Sequence, residues 1–197
     1  MKYNETDVIE KATLLFWQRG FQAAGMRDIQ QALDMRPGSI YAKFQSKEGL
    51  FKKVIEHYTT NSEAKLQRVV SAKSPISALR DFFKEALISP NEQRYMRQCL
   101  LVRSIAELDV IGEAANKTVV HGMNKLKNCF VDIVSAAINT GELPRSTPVN
   151  FAADWLQNQF VGMRAFAVMN DDVKTVNAMI EKVLLDLKGQ WPAEQVH

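Results

Sequence analysis

Apolar residues recur every three or four positions along almost the whole chain, and this spacing places them on one side of an α-helix. The first such stripe is formed by Val8, Ile9, Ala12, Leu15 and Phe16. No segment of any length alternates apolar and polar residues, as a half-buried strand would. The pattern therefore predicts an all-α fold.

Glycines delimit the first two predicted helices. Gly20 follows the first apolar stripe, at the position where a glycine commonly ends a helix. Gly25 is placed to cap a second helix, MRDIQQAL, and Asp28 in its first turn lies near the positive end of the helix dipole. The second helix is therefore expected to be short.

A third short helix is framed on both sides by residues typical of helix ends. Pro37 suits its first position, where the missing N–H costs nothing, and Ser46 is placed to cap a fourth helix. Ile40 and Phe44 form the inward edge of this third helix. Two short helices across a tight turn, braced by a longer one, are the helix-turn-helix arrangement. Residues 6–45 thus predict a module that offers its third helix to the major groove of DNA.

The rest of the chain predicts longer helices. Breaks are expected at residues 74–75, 89–91 and 139–148. Between and after them, helical patterns cover roughly residues 94–107, 111–139, 149–169 and 172–188. The predicted organisation is a helix-turn-helix module over residues 1–50 and a larger helical bundle over residues 51–197.

Positive charge is concentrated around the third predicted helix. The whole chain has a net charge of +3, whereas residues 35–53 alone carry +4, from five basic residues and one acidic residue. A charge run by itself is usually a solvated face. Here it coincides with the helix that the module would offer to DNA.

The sequence contains no motif for catalysis, metal binding or nucleotide binding. His57, His121 and His197 are far apart and lack the spacing of metal ligands, so neither an enzyme nor a metal or other cofactor is expected. The two cysteines are too few for a disulfide framework. Because no secretory signal and no membrane-spanning apolar run is visible, we expect a cytoplasmic protein without a membrane partner.

Residues 12–51 carry a specific succession of motifs: G-F, D-I-x-x-A-L, G-S-I-Y-x-x-F and S-K-E-x-L-F. In these motifs the chain resembles the TetR family of transcriptional regulators. Residues 99–108 and 138–144 more loosely resemble the ligand domain of some members. The resemblance implies a homodimeric repressor that binds a palindromic operator in double-stranded DNA and is released by a small, mainly apolar inducer.

The resemblance also implies which residues contact DNA. Tyr41 and Lys47 match the phosphate-contacting tyrosine and lysine of the family, and Gly38 matches its close-approach glycine. The expected DNA-binding residues are Arg27, Arg36, Pro37, Gly38, Ser39, Tyr41, Ala42, Lys43 and Lys47.

Among these residues, a few are candidates for reading base edges. Arg36 or Lys43 suits a guanine, and Ala42 suits a thymine methyl group. Gly25 and Arg36 stand where hydroxyl-bearing residues are common in the family, so the operator sequence is not transferred from other members.

Apolar side chains on the inward stripes of the C-terminal bundle are ordinary core by periodicity alone, whereas the resemblance implies an inducer pocket there. Gln159 would orient the inducer, and Arg103 would either hold an anion or lie in solvent. Cys99 is a small buried hydrophobe or, alternatively, a redox or electrophile sensor. The expected ligand-binding residues are Phe83, Met96, Cys99, Arg103, Met123, Phe130, Trp155, Gln159 and Met163.

The last two predicted helices carry the expected dimer contact. The final helix has a regular apolar stripe, and Gly162 in its partner helix allows close backbone approach. As in the family, the resemblance implies an isologous four-helix contact, which would bring two modules to one two-fold operator. The expected dimer residues are Gly162, Val176, Met179, Ile180, Val183, Leu184 and Leu187.

Two rival classes and one variant of the hypothesis stay open. The rivals are an enzyme that uses the bundle pocket and an architectural DNA binder without an effector. The lack of clustered catalytic side chains counts against the enzyme, and titration of random against palindromic DNA separates the architectural binder. Activation stands beside repression as the variant. In the main hypothesis the inducer acts by tilting the fourth helix, which runs from Lys47 past Tyr58.

Overall fold

The computed structural model describes residues 4–88 and 94–192. Within those ranges the chain is helical and has no strand, which confirms the predicted all-α fold. The helices are α1 (Glu5–Arg19), α2 (Met26–Leu33), α3 (Pro37–Phe44), α4 (Lys47–Val70), α5 (Pro75–Ile88), α6 (Leu100–Ile105), α7 (Glu113–Asn139), α8 (Val149–Met169) and α9 (Val173–Leu187), with a 3-10 turn at Arg94–Arg97.

The predicted boundary between α1 and α2 is confirmed. α1 ends at Gly20, which has a φ of 81° and whose N–H donates to the carbonyl of Phe16 at 2.8 Å. Gly25 precedes α2, and its N–H donates to the carboxylate of Asp28 at 2.9 Å. The same carboxylate pairs with Arg19 at 2.7 Å. Asp28 therefore ties the end of α1 to the start of α2.

α3 and α4 meet at a tight junction. α3 begins at Pro37, and Gln45, which follows its last residue, has a φ of 65°. The Ser46 hydroxyl accepts a hydrogen bond from the N–H of Gly49 at 3.0 Å, which confirms Ser46 as the cap of α4. A Cβ at position 49 would lie 2.1 Å from the carbonyl oxygen of Phe44. Glycine is required there because the backbone of α3 occupies the space.

The described residues pack as two compact units. The first, called the N-terminal unit below, comprises Met1–Asn61 and Cys99–Asn124; the C-terminal unit comprises Ser62–Gln98 and Lys125–His197. α4 and α7 each contribute residues to both units. By packing, α6 and the first part of α7 thus belong with the N-terminal helices. The functional boundary after residue 50 stays a prediction.

Aromatic rings form the core of the N-terminal unit. Phe16 and Phe51 are buried with ring centroids 5.0 Å apart, and Phe21 lies 5.0 Å from Phe51. Trp17 and Tyr58 pack edge to face at 5.2 Å. Because each ring buries a large apolar area, these contacts help to hold α1, the turn after it and α4 together.

The C-terminal unit has a separate aromatic cluster around Phe160 on α8. The ring centroids of Phe82, Phe83 and Phe130 lie 5.1, 4.7 and 6.0 Å from that of Phe160. The cluster therefore joins rings from α5 and α7 to α8.

The apolar stripe of α9 is buried inside the subunit, and this corrects most of the predicted dimer contact. α9 packs against α5 and α8. The residues that it buries are Val176, Ile180, Val183, Leu184 and Leu187. Of the predicted dimer residues, Gly162 and Met179 are exposed. A regular stripe shows that one face of a helix is buried, and here neighbouring helices of the same chain cover that face.

The predicted continuous helix over residues 94–107 is wrong. The chain makes a 3-10 turn, is extended at Cys99 with a ψ of 128°, and then resumes as α6. The guanidinium of Arg164 on α8 donates to the carbonyl of Met96 at 2.8 Å and to that of Arg97. A continuous α-helix would need these carbonyls for N–H groups four residues further on. Arg164 therefore favours the break.

The other predicted breaks agree with the structure where it describes them. α5 begins at Pro75, α7 ends at Asn139 and α8 begins at Val149. Gly141, between α7 and α8, has a φ of 76°, which suits glycine. The predicted break at residues 89–91 lies outside the described residues.

The carboxylate of Glu142, just after α7, caps α5. It accepts hydrogen bonds from the hydroxyl of Ser74 and, at 3.3 Å, from the N–H of Ile76. We expect Glu142→Ala to lower the free energy of unfolding in urea by about 1–2 kcal/mol, the usual cost of a lost cap. Glu142→Gln keeps an acceptor oxygen and should lose less. Equal stability of Glu142→Ala and the wild type would contradict this role.

Candidate nucleic-acid interface

α3 buries one edge and exposes the other. Ile40 and Phe44 are 2% and 6% exposed, so they face inward as predicted. The residues predicted to contact DNA from α3 and its cap are all exposed: Arg36, Pro37, Gly38, Ser39, Tyr41, Ala42 and Lys43. A helix of eight residues that buries two side chains adds little to the core. Its polar face is therefore available for recognition.

Packing inside the protein does not explain Tyr41 or Gly38. Tyr41 is 50% exposed, which is unusual for a structural aromatic residue. A Cβ at position 38 would meet no atom within 4 Å, so the fold does not require glycine there. Because neither residue is needed for packing, both can contact a ligand outside the subunit.

Lys43 forms an ion pair in the free protein. Its ammonium lies 3.3 Å from the carboxylate of Glu5 and 5.7 Å from the ring centroid of Phe44. Both partners of the pair are partly exposed, so the pair contributes little stability. Lys43 can exchange Glu5 for an acceptor on DNA at small cost.

Lys47, the first residue of α4, rests on the turn between α1 and α2. Its ammonium lies 4.3 Å from the ring centroid of Phe21 and 3.4 Å from the carbonyl oxygen of Gln22. Partial burial lowers the pKa of Lys47, while the nearby carboxylates of Glu48 and Glu107 act in the opposite direction. The ammonium is thus held at a defined place by an aromatic face and a carbonyl.

Glu48 lies beside Lys47 in the first turn of α4. A hydrogen bond with the Ser46 hydroxyl is the largest of the effects that lower the pKa of Glu48. The ionised carboxylate suits the positive end of the helix dipole. It therefore stabilises the helix start from which Lys47 projects.

The remaining predicted DNA contact, Arg27, is exposed at the second position of α2. All nine predicted DNA-binding residues thus lie in the N-terminal unit, eight of them exposed and Lys47 partly so. Their individual contacts with DNA stay predictions.

The predicted ligand-binding residues are divided between the units. Cys99, Arg103 and Met123 belong to the N-terminal unit. Those in the C-terminal unit are Phe83, Met96, Phe130, Trp155, Gln159 and Met163. The structure therefore does not bring all nine residues into one unit.

In the N-terminal unit, the two polar ligand candidates already have partners. Cys99 is 7% exposed and accepts a hydrogen bond from the Tyr58 hydroxyl at 3.5 Å. Arg103 donates to the carbonyl of Gln18 at 3.4 Å. These contacts favour structural roles for both residues.

In the C-terminal unit, a groove of about 410 Å³ lies between α8 and α9. It brings the ligand candidates Gln159 and Met163 next to the dimer candidates Gly162, Met179 and Val183. Phe83 and Phe130 lie elsewhere, in the aromatic cluster around Phe160. Trp155 packs on Trp191, with ring centroids 5.4 Å apart.

Glu107 was not found from the sequence. Its carboxylate accepts a hydrogen bond from the N–H of Phe21 at 2.6 Å, across 86 residues of chain. A contact between a side chain and a distant backbone group follows no local motif, so no signal in the sequence points to it.

Among the described residues, none of the helices combines the length and the apolar character needed to cross a lipid bilayer.

A short exposed helix behind a tight turn, braced by α1 and with basic residues along it, defines a helix-turn-helix protein. Residues 8–54 match the family model for bacterial regulatory proteins of the tetR family, and residues 75–183 match the tetracyclin repressor-like C-terminal domain. The chain belongs to the TetR family of transcriptional regulators, whose members bind DNA and are not enzymes.

A named relative is the HTH-type transcriptional repressor ComR of Escherichia coli strain K12. It is 36% identical over 83 residues, which are 41% of this chain and 40% of ComR. The match thus spans well under half the length of that relative.

Two solved structures are similar over nearly the whole chain. A TetR-family regulator from Agrobacterium tumefaciens has a TM-score of 0.80 at 21% identity and covers 93% of this chain and 96% of its own. A cysteine mutant of the TetR-family regulator CifR, complexed with 26-base-pair operator DNA, has a TM-score of 0.78 at 21% identity and covers 98% of both chains. At these identities the likeness shows a shared fold.

Proposed function

We propose that this protein represses transcription from the cytoplasm. It binds a palindromic operator as a homodimer and leaves the operator when a small, mainly apolar molecule binds. One observation carries the DNA-binding part: α3 exposes its polar and basic residues while it buries only Ile40 and Phe44. ComR is named as a repressor, and the CifR structure contains operator DNA. Both names support the same role here.

The homodimer is supported by the exposed residues of α8 and α9. Gly162 and Met179 line the groove between these helices, and Leu185 is 66% exposed. An exposed methionine that shares a groove with a glycine suits the close approach of a partner helix. Two copies would also provide the two modules that a two-fold operator needs.

Release by an inducer is supported by the match to the repressor-like C-terminal domain. Burial of Cys99 favours a bound molecule over oxidant sensing as the signal, because redox-sensing cysteines are normally accessible. The bound molecule weakens operator binding only by its differential affinity for the two states, typically about 1–3 kcal/mol.

The proposal is tested by fluorescence anisotropy with the DNA upstream of the gene and with random DNA of equal length, at several salt concentrations. We expect specific binding at least about 10³-fold tighter than random binding. Equal affinities would favour the architectural binder.

Inducible release is tested separately. Molecules that raise the midpoint of thermal unfolding of the protein are added to its complex with the operator. Operator affinity that none of them changes would refute inducible release.

The exposed residues of α3 lead us to expect two different effects of substitution on DNA binding. Tyr41→Ala should weaken binding to all sequences by a similar factor, because a phosphate contact carries no sequence information. Lys43→Ala should instead relax preference at one operator position, by about 1–3 kcal/mol. Anisotropy against a set of single-base operator variants measures both, and Lys174→Ala, an exposed lysine of the C-terminal unit, is the control. Identical profiles for Tyr41→Ala and Lys43→Ala would contradict the assigned roles.

A further inference from the structure

Two side chains from the segment after the 3-10 turn hold the end of α1 and the turn that joins α1 to α2. The guanidinium of Arg103 donates to the carbonyl of Gln18 at 3.4 Å. The carboxylate of Glu107 accepts from the N–H of Phe21 at 2.6 Å. A hydrogen bond to an ionised acceptor is among the strongest that a backbone N–H makes. The turn is therefore fixed from one side by Glu107.

Gly20 makes room for this contact. It has a φ of 81°, and a Cβ at its position would lie 2.5 Å from a carboxylate oxygen of Glu107. Any side chain there would push the carboxylate away from the N–H of Phe21. The glycine that ends α1 thus also admits Glu107 to the turn.

Lys47 contacts the same turn. Its ammonium lies 4.3 Å from the ring centroid of Phe21 and 3.4 Å from the carbonyl oxygen of Gln22. Phe21 is 4% exposed and packs against Phe51, so its ring cannot move freely. One residue therefore has its backbone held by Glu107 while its ring supports the ammonium of Lys47.

We infer that Glu107 is a positioning residue for DNA binding. It fixes Phe21 and the carbonyl of Gln22, and these in turn hold the Lys47 ammonium where it meets a phosphate. The inference rests on the proposed function, since it needs a phosphate contact by Lys47. The attraction between the Glu107 carboxylate and the Lys47 ammonium also helps to hold the ammonium beside this turn.

The test is a double-mutant cycle on operator DNA, measured by anisotropy from low to high salt. The variants are Glu107→Ala, Lys47→Ala and the double variant. We expect Glu107→Ala to lose about tenfold in affinity and to make the slope of log affinity against log salt shallower by about 0.9, as for one lost phosphate contact. Lys47→Ala should give the same slope. The double variant should bind as Lys47→Ala does, because both changes remove one contact.

Two further variants separate positioning from general effects. Glu107→Gln keeps an acceptor for the N–H of Phe21 and should recover most of the affinity and the wild-type slope. Glu113→Ala removes the same charge from an exposed position of the N-terminal unit and should leave the slope unchanged. Glu107→Asp withdraws the carboxylate by one methylene and replaces Glu107→Ala in the cycle if the alanine variant does not fold.

The inference is overturned if Glu107→Ala keeps the wild-type salt slope, if its loss multiplies with that of Lys47→Ala, or if Glu107→Gln binds as weakly as Glu107→Ala. Failure of the proposed function is a different result, since the wild type itself would then show no specific binding to operator DNA.

Discussion

Phe51→Ala is expected to destabilise the protein by about 3–5 kcal/mol and to abolish DNA binding at physiological temperature. Phe51 is 1% exposed, and its ring lies 5.0 Å from both Phe16 and Phe21. Truncation removes the central ring of this cluster and leaves a cavity that the flanking helices fill only in part. Urea unfolding followed by circular dichroism measures the loss.

The matched control for this substitution is Phe151→Ala. Phe151 is 50% exposed, and its ring meets Trp191 at 5.9 Å. Much of its surface already contacts water, so we expect a loss of about 1 kcal/mol or less. Equal losses for the two variants would mean that the aromatic cluster of α1 and α4 does not hold the N-terminal unit together.

Gly38→Ala and Gly49→Ala are expected to have opposite effects on stability, although both positions lie in the first turn of a helix. A Cβ at position 49 would lie 2.1 Å from the Phe44 carbonyl oxygen, so the junction of α3 and α4 must shift. We expect Gly49→Ala to cost about 1–3 kcal/mol, as overpacking does. A Cβ at position 38 meets nothing within 4 Å. Gly38→Ala should therefore gain about 0.5–1 kcal/mol from the better helix propensity of alanine.

On DNA, both glycine variants should bind more weakly, for different reasons. Gly38→Ala places a methyl group where the backbone of α3 is proposed to approach a phosphate, and we expect a loss of about tenfold or more, about 1.4 kcal/mol. Thermal unfolding and anisotropy on the same preparations separate a loss of DNA affinity that follows from lost stability, expected for Gly49→Ala, from a loss without it, expected for Gly38→Ala. A Gly38→Ala variant that is more stable and binds DNA as well as the wild type would show that α3 does not approach DNA at this residue.

Helix boundaries were predictable where a local chemical rule sets them. Gly20, Pro37 and Ser46 end or begin helices through their own backbone conformation or side-chain oxygen, so the sequence around each is sufficient. The break before α6 was missed because Arg164, which favours it, lies more than 60 residues away in the sequence. A local pattern contains no information on such a partner.

The exposed residues of the candidate site could be predicted from their spacing in the sequence. The contacts that support the site could not. Burial of Ile40 and Phe44 leaves Tyr41 and Lys43 on the outside of α3, as their spacing predicts. Glu107 is different, because its partner is a backbone N–H that any residue except proline at position 21 would carry. The α9 stripe shows a third case: periodicity predicted that Ile180 is buried but not which helices cover it.

Residues 99–124 belong to the N-terminal unit, so residues 1–61 alone do not form the whole unit that carries the proposed DNA-binding residues. Leu101 and Ile111 are fully buried, and a Cβ at Gly122 would lie 2.7 Å from the Thr59 hydroxyl. A chimaera that grafts residues 1–61 alone onto another regulator would pack them against that regulator's side chains in place of residues 99–124. Operator specificity should therefore transfer intact between regulators only when both chain segments are exchanged together.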